Sequence, residues 1–218
     1  MARPKNKKIQ RKRMYTYFRD AALKIIHEEG IDKVTARKVA DLAGYNQATL
    51  YSYFENLKHL ILFACIDYLG EYLEALPLYI REAKDSKDIY FAVWQCFTDF
   101  AFDQSAIYRQ IFFSNAKDIG YYYRQYYDIF PLDIKHYPPE IQNMIQEVTI
   151  EERSHRLMDE CIVQGLIDEK SGYLVDDMVV FTFESLLLRV DIGSLKPGVA
   201  KELFMSYMKT LFKRLSVR

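Results

Sequence analysis

Glycine and proline, the residues that most often interrupt helices, are scarce in this sequence. Only 8 glycines and 6 prolines occur among 218 residues, and no glycine-rich phosphate-binding loop is present. Because a sheet of many strands needs turn residues at its connections, this scarcity favours helices. Half of the residues are hydrophobic, which is enough for a sizeable core. Apolar residues recur with helical spacing, and we predict an all-α fold of about ten helices.

Cysteines and long apolar runs are also lacking. The three cysteines, Cys65, Cys96 and Cys161, are too few and too far apart for a disulfide framework or a zinc site, so we predict buried thiols. The most apolar run, Leu60 to Ile66, is too short to cross a bilayer. The basic N-terminus is not followed by the apolar segment of a signal peptide. We therefore expect a cytoplasmic protein without a membrane partner.

The chain has no net charge, but its charges are unevenly distributed. Residues 1–60 carry 13 basic and 6 acidic residues, a net charge of +7, whereas residues 61–218 carry −7. Residues 1–13, MARPKNKKIQRKR, contain seven basic residues and no acidic one, and we predict a flexible basic arm. This asymmetry indicates that one end binds a polyanion. The alternative is a disordered basic tail on a neutral protein.

The N-terminal region after the arm has the pattern of a helix-turn-helix. Apolar residues with helical spacing begin at Met14 and predict a first helix. Thr35 is a favourable N-cap for a second helix, Gly44 permits a sharp turn, and Asn46 can cap a third helix. Two short helices joined by a tight turn, with one helix before them, form a helix-turn-helix. We predict such a domain over residues 14–56.

The third helix has a composition suited to contact with DNA. Leu50 and Phe54 point inward on a helical wheel, and polar residues occupy the opposite face and the N-terminal end. The first residues of a recognition helix contact base edges, where amides can pair with adenine, and hydroxyl groups suit phosphates. We predict that Tyr45, Asn46 and Gln47 read bases. The other predicted DNA-binding residues, mostly phosphate contacts, are Thr35, Arg37, Thr49, Tyr51, Tyr53 and Lys58. An ordinary polar surface helix is the alternative.

The segment TARKVADLAGYNQATLYSYFENLK resembles the DNA-binding segment of the TetR family of bacterial transcription regulators. The positions that match the family pattern are Thr35, Val39, Ala40, Ala43, Gly44, Leu50, Tyr51, Tyr53 and Phe54. The specific resemblance covers residues 14–60, and beyond them only the length and the helical pattern agree. It implies an N-terminal DNA-binding domain followed by a helical effector-binding and dimerisation domain, here residues 57–218.

Three positions depart from the family pattern. Tyr45 stands where valine is usual, and Asn46 replaces the usual serine but can still cap the helix. Leu57 stands where the family commonly has a lysine that binds phosphate. Lys58 is the candidate replacement, although it lies about 100° further round the helix.

Two later helices are predicted to form a homodimer interface. Helices over residues 139–164 and 175–192 carry apolar residues on more than one side, so each must be buried on a second face. A two-fold four-helix interface does this and matches a palindromic DNA site. The predicted interface residues are Ile145, Val148, Met158, Ile162, Val179, Phe183, Leu186, Leu187 and Val190.

A rigid fourth helix over residues 57–76, ended or kinked by Pro77, is expected to connect the two domains.

Aromatic residues at helical spacing in the second half of the chain form either core or a pocket wall. The resemblance favours a pocket, because the C-terminal domain of TetR regulators usually holds an effector. The predicted lining is Trp94, Phe97, Tyr108, Phe112, Tyr122 and Tyr126. A largely apolar or aromatic effector with one or two polar groups suits such a wall.

No catalytic or metal site is predicted. Glu152 and His155 have the Glu-x-x-His spacing of di-iron helices, but no second copy lies on a credible helix. No nucleophile–base pair is apparent, and we expect neither an enzyme nor a cofactor. The sequence favours a repressor released from a palindromic operator by a small molecule. The alternatives are a TetR-like activator, or a helical small-molecule-binding protein or enzyme whose helix-turn-helix is structural.

Overall fold

The structure, a computed structural model, describes residues 4–114 and 119–215, and these contain α-helices but no strand. The predicted all-α fold is confirmed. The described residues form twelve α-helices rather than about ten: α1 (Pro4–Glu29), α2 (Ala36–Ala43), α3 (Gln47–Tyr51), α4 (Leu57–Ile66), α5 (Leu69–Ile80), α6 (Ser86–Asp103), α7 (Ser105–Phe113), α8 (Ile119–Ile129), α9 (Pro139–Gln146), α10 (Ile150–Val163), α11 (Glu169–Asp191) and α12 (Pro197–Leu215). Within these residues, no helix has the length and apolar character needed to cross a membrane.

The helices form two compact units whose bounds differ from the predicted domains. The first unit contains α1 to α4 and α8, and the second contains α5 to α7 and α9 to α12. Helix α8 joins the first unit because its aromatic rings pack on α4: Tyr122 stacks on His59 at 4.0 Å and Tyr126 contacts Phe63 at 4.9 Å between ring centroids. The apolar pattern of a helix shows that one face is buried but does not show which partner covers it.

The basic arm is helical wherever it is described. Helix α1 begins at Pro4, so residues 4–13 continue the first helix, and the prediction of a flexible arm over 1–13 is wrong for this part. Residues 1–3 lie outside the described residues. Proline is tolerated in the first turn of a helix, where its missing N–H has no partner to lose, and no further proline or glycine interrupts the chain before Gly30. The positive charges after residue 6 are therefore displayed on a helix.

The predicted helix over residues 57–76 is broken. Helix α4 ends at Ile66 and α5 begins at Leu69, and the division between the two units falls next to this break. Asp67 at the break accepts a hydrogen bond of 2.6 Å from the Tyr126 hydroxyl and pairs with Arg19 at 3.0 Å. Pro77 lies inside α5 and does not end it. A single rigid helix therefore does not run from the recognition helix into the second unit.

The predicted helix over 139–164 is also two helices. The chain leaves helical geometry at Glu147, and Thr149 starts α10 with a capping box, in which the Thr149 side chain and Glu152 exchange hydrogen bonds with each other's backbone N–H. This Thr-x-x-Glu signature was present in the sequence but was masked by the continuous apolar pattern. Helix α11 starts before the predicted residue 175, because Asp168 caps it by accepting from the Ser171 N–H at 3.0 Å.

Candidate nucleic-acid interface and small-molecule site

The turn between α2 and α3 is fixed by local hydrogen bonds. Thr35 caps α2 by accepting from the Lys38 N–H at 3.2 Å, and Gly44 has a φ of 78°, which favours glycine. Asn46 caps α3, since its Oδ1 accepts from the Thr49 N–H at 2.8 Å and from the Thr49 hydroxyl at 3.0 Å. The two caps predicted at Thr35 and Asn46 are confirmed, and Asn56 caps α4 in the same way.

An aromatic core holds the recognition helix in place. Phe54 is buried and its ring contacts Tyr15 at 5.1 Å, Phe63 at 5.3 Å and Phe18 at 6.2 Å between centroids. It follows α3 by a short turn rather than lying within the helix. The Tyr15 hydroxyl donates to the Tyr53 carbonyl at 2.9 Å, which ties this turn to α1. A helix of five residues is not stable alone, so these contacts set its orientation.

The predicted DNA-binding residues lie on the outside of the first unit. Those that are exposed are Thr35, Arg37, Tyr45, Asn46, Gln47, Tyr51 and Lys58, whereas Thr49 and Tyr53 are half-buried. Some already have structural partners. The Asn46 oxygen is used by its cap, and the Arg37 guanidinium lies 3.7 Å from Asp41. Gln47 and Tyr51 are thus the polar side chains of α3 that the caps leave for another partner.

Tyr45, at the position where valine is usual, has a stacking partner in Tyr17. Its ring stacks on Tyr17 of α1 at 6.2 Å with an interplanar angle of 27°, and lies 5.6 Å from Phe18. Arg13, one turn earlier on α1, donates to the Tyr17 hydroxyl at 3.2 Å. Arg13, Tyr17 and Tyr45 form a continuous exposed surface beside the start of α3, which we call the α1 ledge. Sequence reasoning missed Tyr17 and counted Arg13 only as part of the basic arm, although their spacing of four residues on a helix was visible.

The residues of the predicted effector lining are divided between the two units. Tyr122 and Tyr126 belong to the first unit, where their hydroxyls donate to Glu55 at 2.9 Å and to Asp67 at 2.6 Å. Trp94 and Phe97 line a small cavity in the second unit, and Tyr108 and Phe112 pack against Phe97, each at 5.4 Å between centroids. The helical spacing of these aromatics was correctly recognised, but most of them are core.

The cavity of the second unit lies between α5, α6, α9 and α10. Its volume is about 20 Å³, which is room for about one water molecule. Its wall is mostly apolar and is formed by Val93, Phe97, Met144, Ile150 and Leu157, together with four residues that carry polar groups, Tyr72, Trp94, Arg153 and Ser154.

A buried hydrogen-bond network backs this cavity. The Trp94 Nε1–H donates to Ser154 Oγ at 3.1 Å, and the hydroxyls of Ser154 and Tyr90 donate to Asp176, the latter at 2.6 Å. Burial raises the pKa of Asp176 to about 6, although these hydrogen bonds favour its charged form. His155 Nε2 lies 3.1 Å from the other Asp176 oxygen. Ser154 is therefore held firmly, and the network joins α6, α10 and α11.

The Glu-x-x-His pair has structural partners. Glu152 belongs to the capping box of α10, and His155 faces Asp176. In residues 4–114 and 119–215, no three His, Cys, Asp or Glu side chains are grouped so as to hold a metal ion.

Most predicted dimer contacts are buried within the single chain. Ile145, Met158, Val179, Phe183, Leu186, Leu187 and Val190 form the core of the second unit, while Val148 and Ile162 are half-buried. A side chain that its own chain covers offers no face to another copy. We therefore correct the predicted interface at these seven buried positions. Helix α11 has a different exposed stripe, with alternating spacings of four and three residues: Leu174, Met178, Phe181, Ser185, Leu188 and Ile192. We call it the α11 stripe.

The first unit has the geometry of a helix-turn-helix, and comparison with known proteins shows which regulators this region resembles. Residues 14–62 match the sequence profile of the bacterial regulatory proteins of the tetR family. The Fatty acid metabolism regulator protein of Bacillus subtilis (strain 168) is 28% identical over 79 residues, which span 36% of this chain and 41% of that protein. Residues 14–62 are thus similar to the DNA-binding region of the TetR family, and the match to the curated relative spans less than half of that protein.

Solved structures agree with this fold over nearly the whole chain. Thermus thermophilus FadR, a TetR-family repressor in complex with lauroyl-CoA, is 13% identical with a TM-score of 0.61 and covers 94% of this chain and 96% of its own. The fatty acid degradation regulator FadR of Bacillus halodurans is 15% identical with a TM-score of 0.57, covering 92% and 99%. At these identities the likeness shows the fold alone.

Proposed function

We propose that the protein is a homodimeric repressor that binds a palindromic operator in the bacterial cytoplasm and is released by a small molecule. The observation that carries the proposal is the surface of α3, where the helix is fixed by its caps and its aromatic core while Gln47 and Tyr51 are exposed. A recognition helix needs both a fixed orientation and exposed groups that pair with bases. Catalysis is not part of the proposed function.

Gln47 is the principal base reader in this proposal. It is the first residue of α3 and its amide can pair bidentately with adenine in the major groove. Asn46 is a weaker candidate, because its oxygen already accepts two hydrogen bonds in the cap. Tyr45 contributes through the α1 ledge, and Thr35, Arg37, Thr49, Tyr51, Tyr53 and Lys58 are the proposed phosphate contacts.

We expect Gln47→Ala to reduce affinity for the preferred duplex by about 1–3 kcal/mol and to relax one base position. Selection of bound duplexes from a random pool, with wild-type and variant protein in parallel, measures both effects. Gln104→Ala in the second unit removes the same side chain from an exposed position and is the control. If Gln47→Ala weakens binding to all sequences equally, Gln47 does not read a base.

We expect Arg13→Gln to flatten the salt dependence of DNA binding. Arg13 is held by Tyr17 within the α1 ledge, next to the start of the recognition helix. One lost phosphate contact changes the slope of log K against log salt by about 0.9. Lys24→Gln, at the other end of α1, removes the same charge from an exposed position and is expected to leave the slope unchanged. Equal slopes for both variants would place Arg13 outside the interface.

The proposed dimer uses the α11 stripe rather than the residues first predicted. Alternating spacings of four and three residues are those of helices that pack at a shallow angle in bundles. Val199 and Tyr207, spaced eight residues apart on α12, are also exposed. Two copies of such a face give an isologous interface, as a palindromic site requires.

The proposed effector is a small molecule that binds in the second unit. Two relatives are named as regulators of fatty acid metabolism or degradation, and one structure contains lauroyl-CoA, which makes an apolar chain a reasonable effector for this protein. Release requires that the effector favour the form that does not bind DNA, by a coupling of about 1–3 kcal/mol.

The random-pool selection also tests the proposal as a whole. An inverted repeat supports a dimeric DNA reader, and its centre-to-centre spacing gives the separation of the two recognition helices. Failure to enrich any sequence favours a structural helix-turn-helix. Transcription from a reporter that carries the selected site distinguishes a repressor from an activator.

A further inference from the structure

We infer that Gln125 of α8 is a positioning residue for DNA binding, which fixes the turn after the recognition helix through the hydroxyl of Tyr15. Gln125 itself does not contact DNA, and its effect reaches the helix through two hydrogen bonds. The inference rests on the proposed function, since it concerns how α3 is held for reading bases. It gives α8, which was first predicted to carry part of an effector pocket, a role in DNA recognition.

Helix α8 comes from the second half of the chain but packs in the first unit. The helices on either side of it in the chain, α7 and α9, both belong to the second unit. Gln125 is 110 residues away from Tyr15 along the chain, yet the two side chains are hydrogen-bonded. The recognition helix therefore has a structural neighbour that lies far outside the helix-turn-helix sequence.

Two consecutive hydrogen bonds lead from α8 to the turn after the recognition helix. The Gln125 Nε2–H donates to the Tyr15 hydroxyl oxygen at 3.1 Å, and the Tyr15 hydroxyl donates to the Tyr53 carbonyl at 2.9 Å. A tyrosine hydroxyl has a single proton. Because its oxygen accepts from Gln125, that proton is directed to the Tyr53 carbonyl, and hydrogen bonds in such a chain strengthen each other. Tyr53 lies two residues after the end of α3, so the chain ends on the turn that orients this helix.

The middle of this chain is shielded from water. Tyr15 is 2% exposed, and its ring contacts those of Tyr53 and Phe54 at 5.5 and 5.1 Å between centroids. Gln125 is half-buried. A hydrogen bond is electrostatically stronger in such surroundings than in water, so the loss of one member is felt by the next.

The same amide acts on a second group that contacts this turn. His59 is fully buried, and its Nδ1 accepts from the Glu55 backbone N–H at 3.2 Å. Burial lowers the pKa of His59, and Gln125 opposes this shift as a hydrogen-bonding neighbour. This contact is looser than the bond to Tyr15, because neither Gln125 Oε1 nor His59 Nε2 forms a hydrogen bond of ordinary geometry with the described residues. Gln125 thus lies between the two side chains that hold this turn, one at Tyr53 and one at Glu55.

Loss of the Gln125 amide is expected to weaken specific DNA binding alone. Base reading needs the recognition helix in one orientation, whereas non-specific binding depends on charge and tolerates a displaced helix. Gln125→Leu removes the amide and keeps a side chain of similar size, and we expect it to lower the ratio of specific to non-specific affinity about 3–10-fold. A variant with a smaller folded fraction would lose both affinities equally, so the ratio separates positioning from stability.

The ratio is measured with the full-length protein at one salt concentration. One duplex is that recovered by the random-pool selection, and the other has an unrelated sequence. Tyr126→Phe is the matched control on α8, because it removes a hydroxyl that donates to Asp67, after the end of α4, and we expect it to leave the ratio within about twofold. An unchanged ratio in Gln125→Leu overturns the inference. Equal reductions in both variants assign the effect to α8 as a whole and overturn it as well.

A double-mutant cycle tests whether Gln125 acts through Tyr15. Tyr15→Phe removes the bond to the Tyr53 carbonyl and keeps the ring, and we expect it to lower the ratio about 10-fold. Adding Gln125→Leu to Tyr15→Phe is expected to change the ratio by less than about twofold, because the shared chain is already broken. Losses that multiply independently contradict the inference.

A second substitution at the same position tests the direction of the hydrogen bond. Gln125→Glu keeps the shape of the side chain but replaces the N–H donor by an acceptor, which competes with the Tyr53 carbonyl for the proton of Tyr15. We expect it to lower the ratio at least as much as Gln125→Leu, and it carries the test if the leucine variant does not fold. Its negative charge weakens both affinities alike and cancels in the ratio.

The outcomes separate this inference from the proposed function. If the wild-type protein enriches no duplex from the random pool, the proposed function fails and the inference fails with it. If it enriches a duplex for which Gln125→Leu has the wild-type ratio, the proposed function stands and only the positioning role of Gln125 is overturned.

Discussion

Phe54→Ala is expected to destabilise the first unit by about 3–5 kcal/mol and to abolish operator binding. Phe54 is 1% exposed and contacts rings from both α1 and α4, so its removal leaves a cavity where these helices meet the turn after α3. The recognition helix has only five residues and depends on this core for its orientation. The loss of DNA binding follows from misorientation, although Phe54 itself is too buried to contact DNA.

Two optical signals locate the effect of this variant. Far-ultraviolet circular dichroism follows the helices of both units, whereas fluorescence of Trp94 follows the second unit. Phe54→Ala is expected to shift the dichroism transition in denaturant and to leave the Trp94 transition near that of the wild type. Tyr51→Ala, three residues earlier and 48% exposed, is the control and is expected to change stability by less than about 0.5 kcal/mol. A Phe54→Ala protein within about 1 kcal/mol of wild type would contradict the central role of this ring.

Phe181→Glu is expected to convert the proposed homodimer into a monomer at micromolar concentration. Phe181 is 63% exposed and lies near the middle of the α11 stripe. In a two-fold interface one substitution places a carboxylate on each side of the axis, so two charges lose water and like charges approach each other. We expect the dimer dissociation constant to rise at least about 100-fold, which is about 2.7 kcal/mol.

Light scattering of both proteins over a range of concentrations measures this change. Leu78→Glu is the matched control, because it introduces the same charge at an exposed leucine of α5 that lies outside the stripe. A Phe181→Glu protein that remains dimeric would assign the interface to another surface. A wild-type protein that is monomeric at these concentrations would contradict the dimer altogether. Operator affinity is expected to fall with dimerisation, because a monomer occupies one half-site only.

Residues close together in the chain were predictable from sequence because their interactions are local. Thr35, Asn46 and Asn56 each cap the helix that follows them, and a cap depends only on the next three residues. Leu50 and Phe54 were predicted to point inward and both are buried. The helix-turn-helix and the resemblance to the TetR family followed from such local features. The capping box at Thr149 was equally local, and it was missed because an apolar pattern continues across it.

Interactions between distant parts of the chain were decided by the tertiary structure. Tyr122 and Tyr126 have the spacing of a pocket wall, but they pack on α4 because His59 and Phe63 cover them there. Phe183 and Phe181 are two residues apart on α11, yet the first is in the core and the second is exposed. Nothing in the sequence distinguishes Arg153 from an ordinary surface arginine. Only the tertiary packing shows that it is buried at a cavity. Sequence determined the caps, the helices and the DNA-binding motif, because their energies depend on neighbouring residues. Tertiary structure decided which apolar face meets which partner, because burial is non-directional and any apolar surface of suitable shape can supply it.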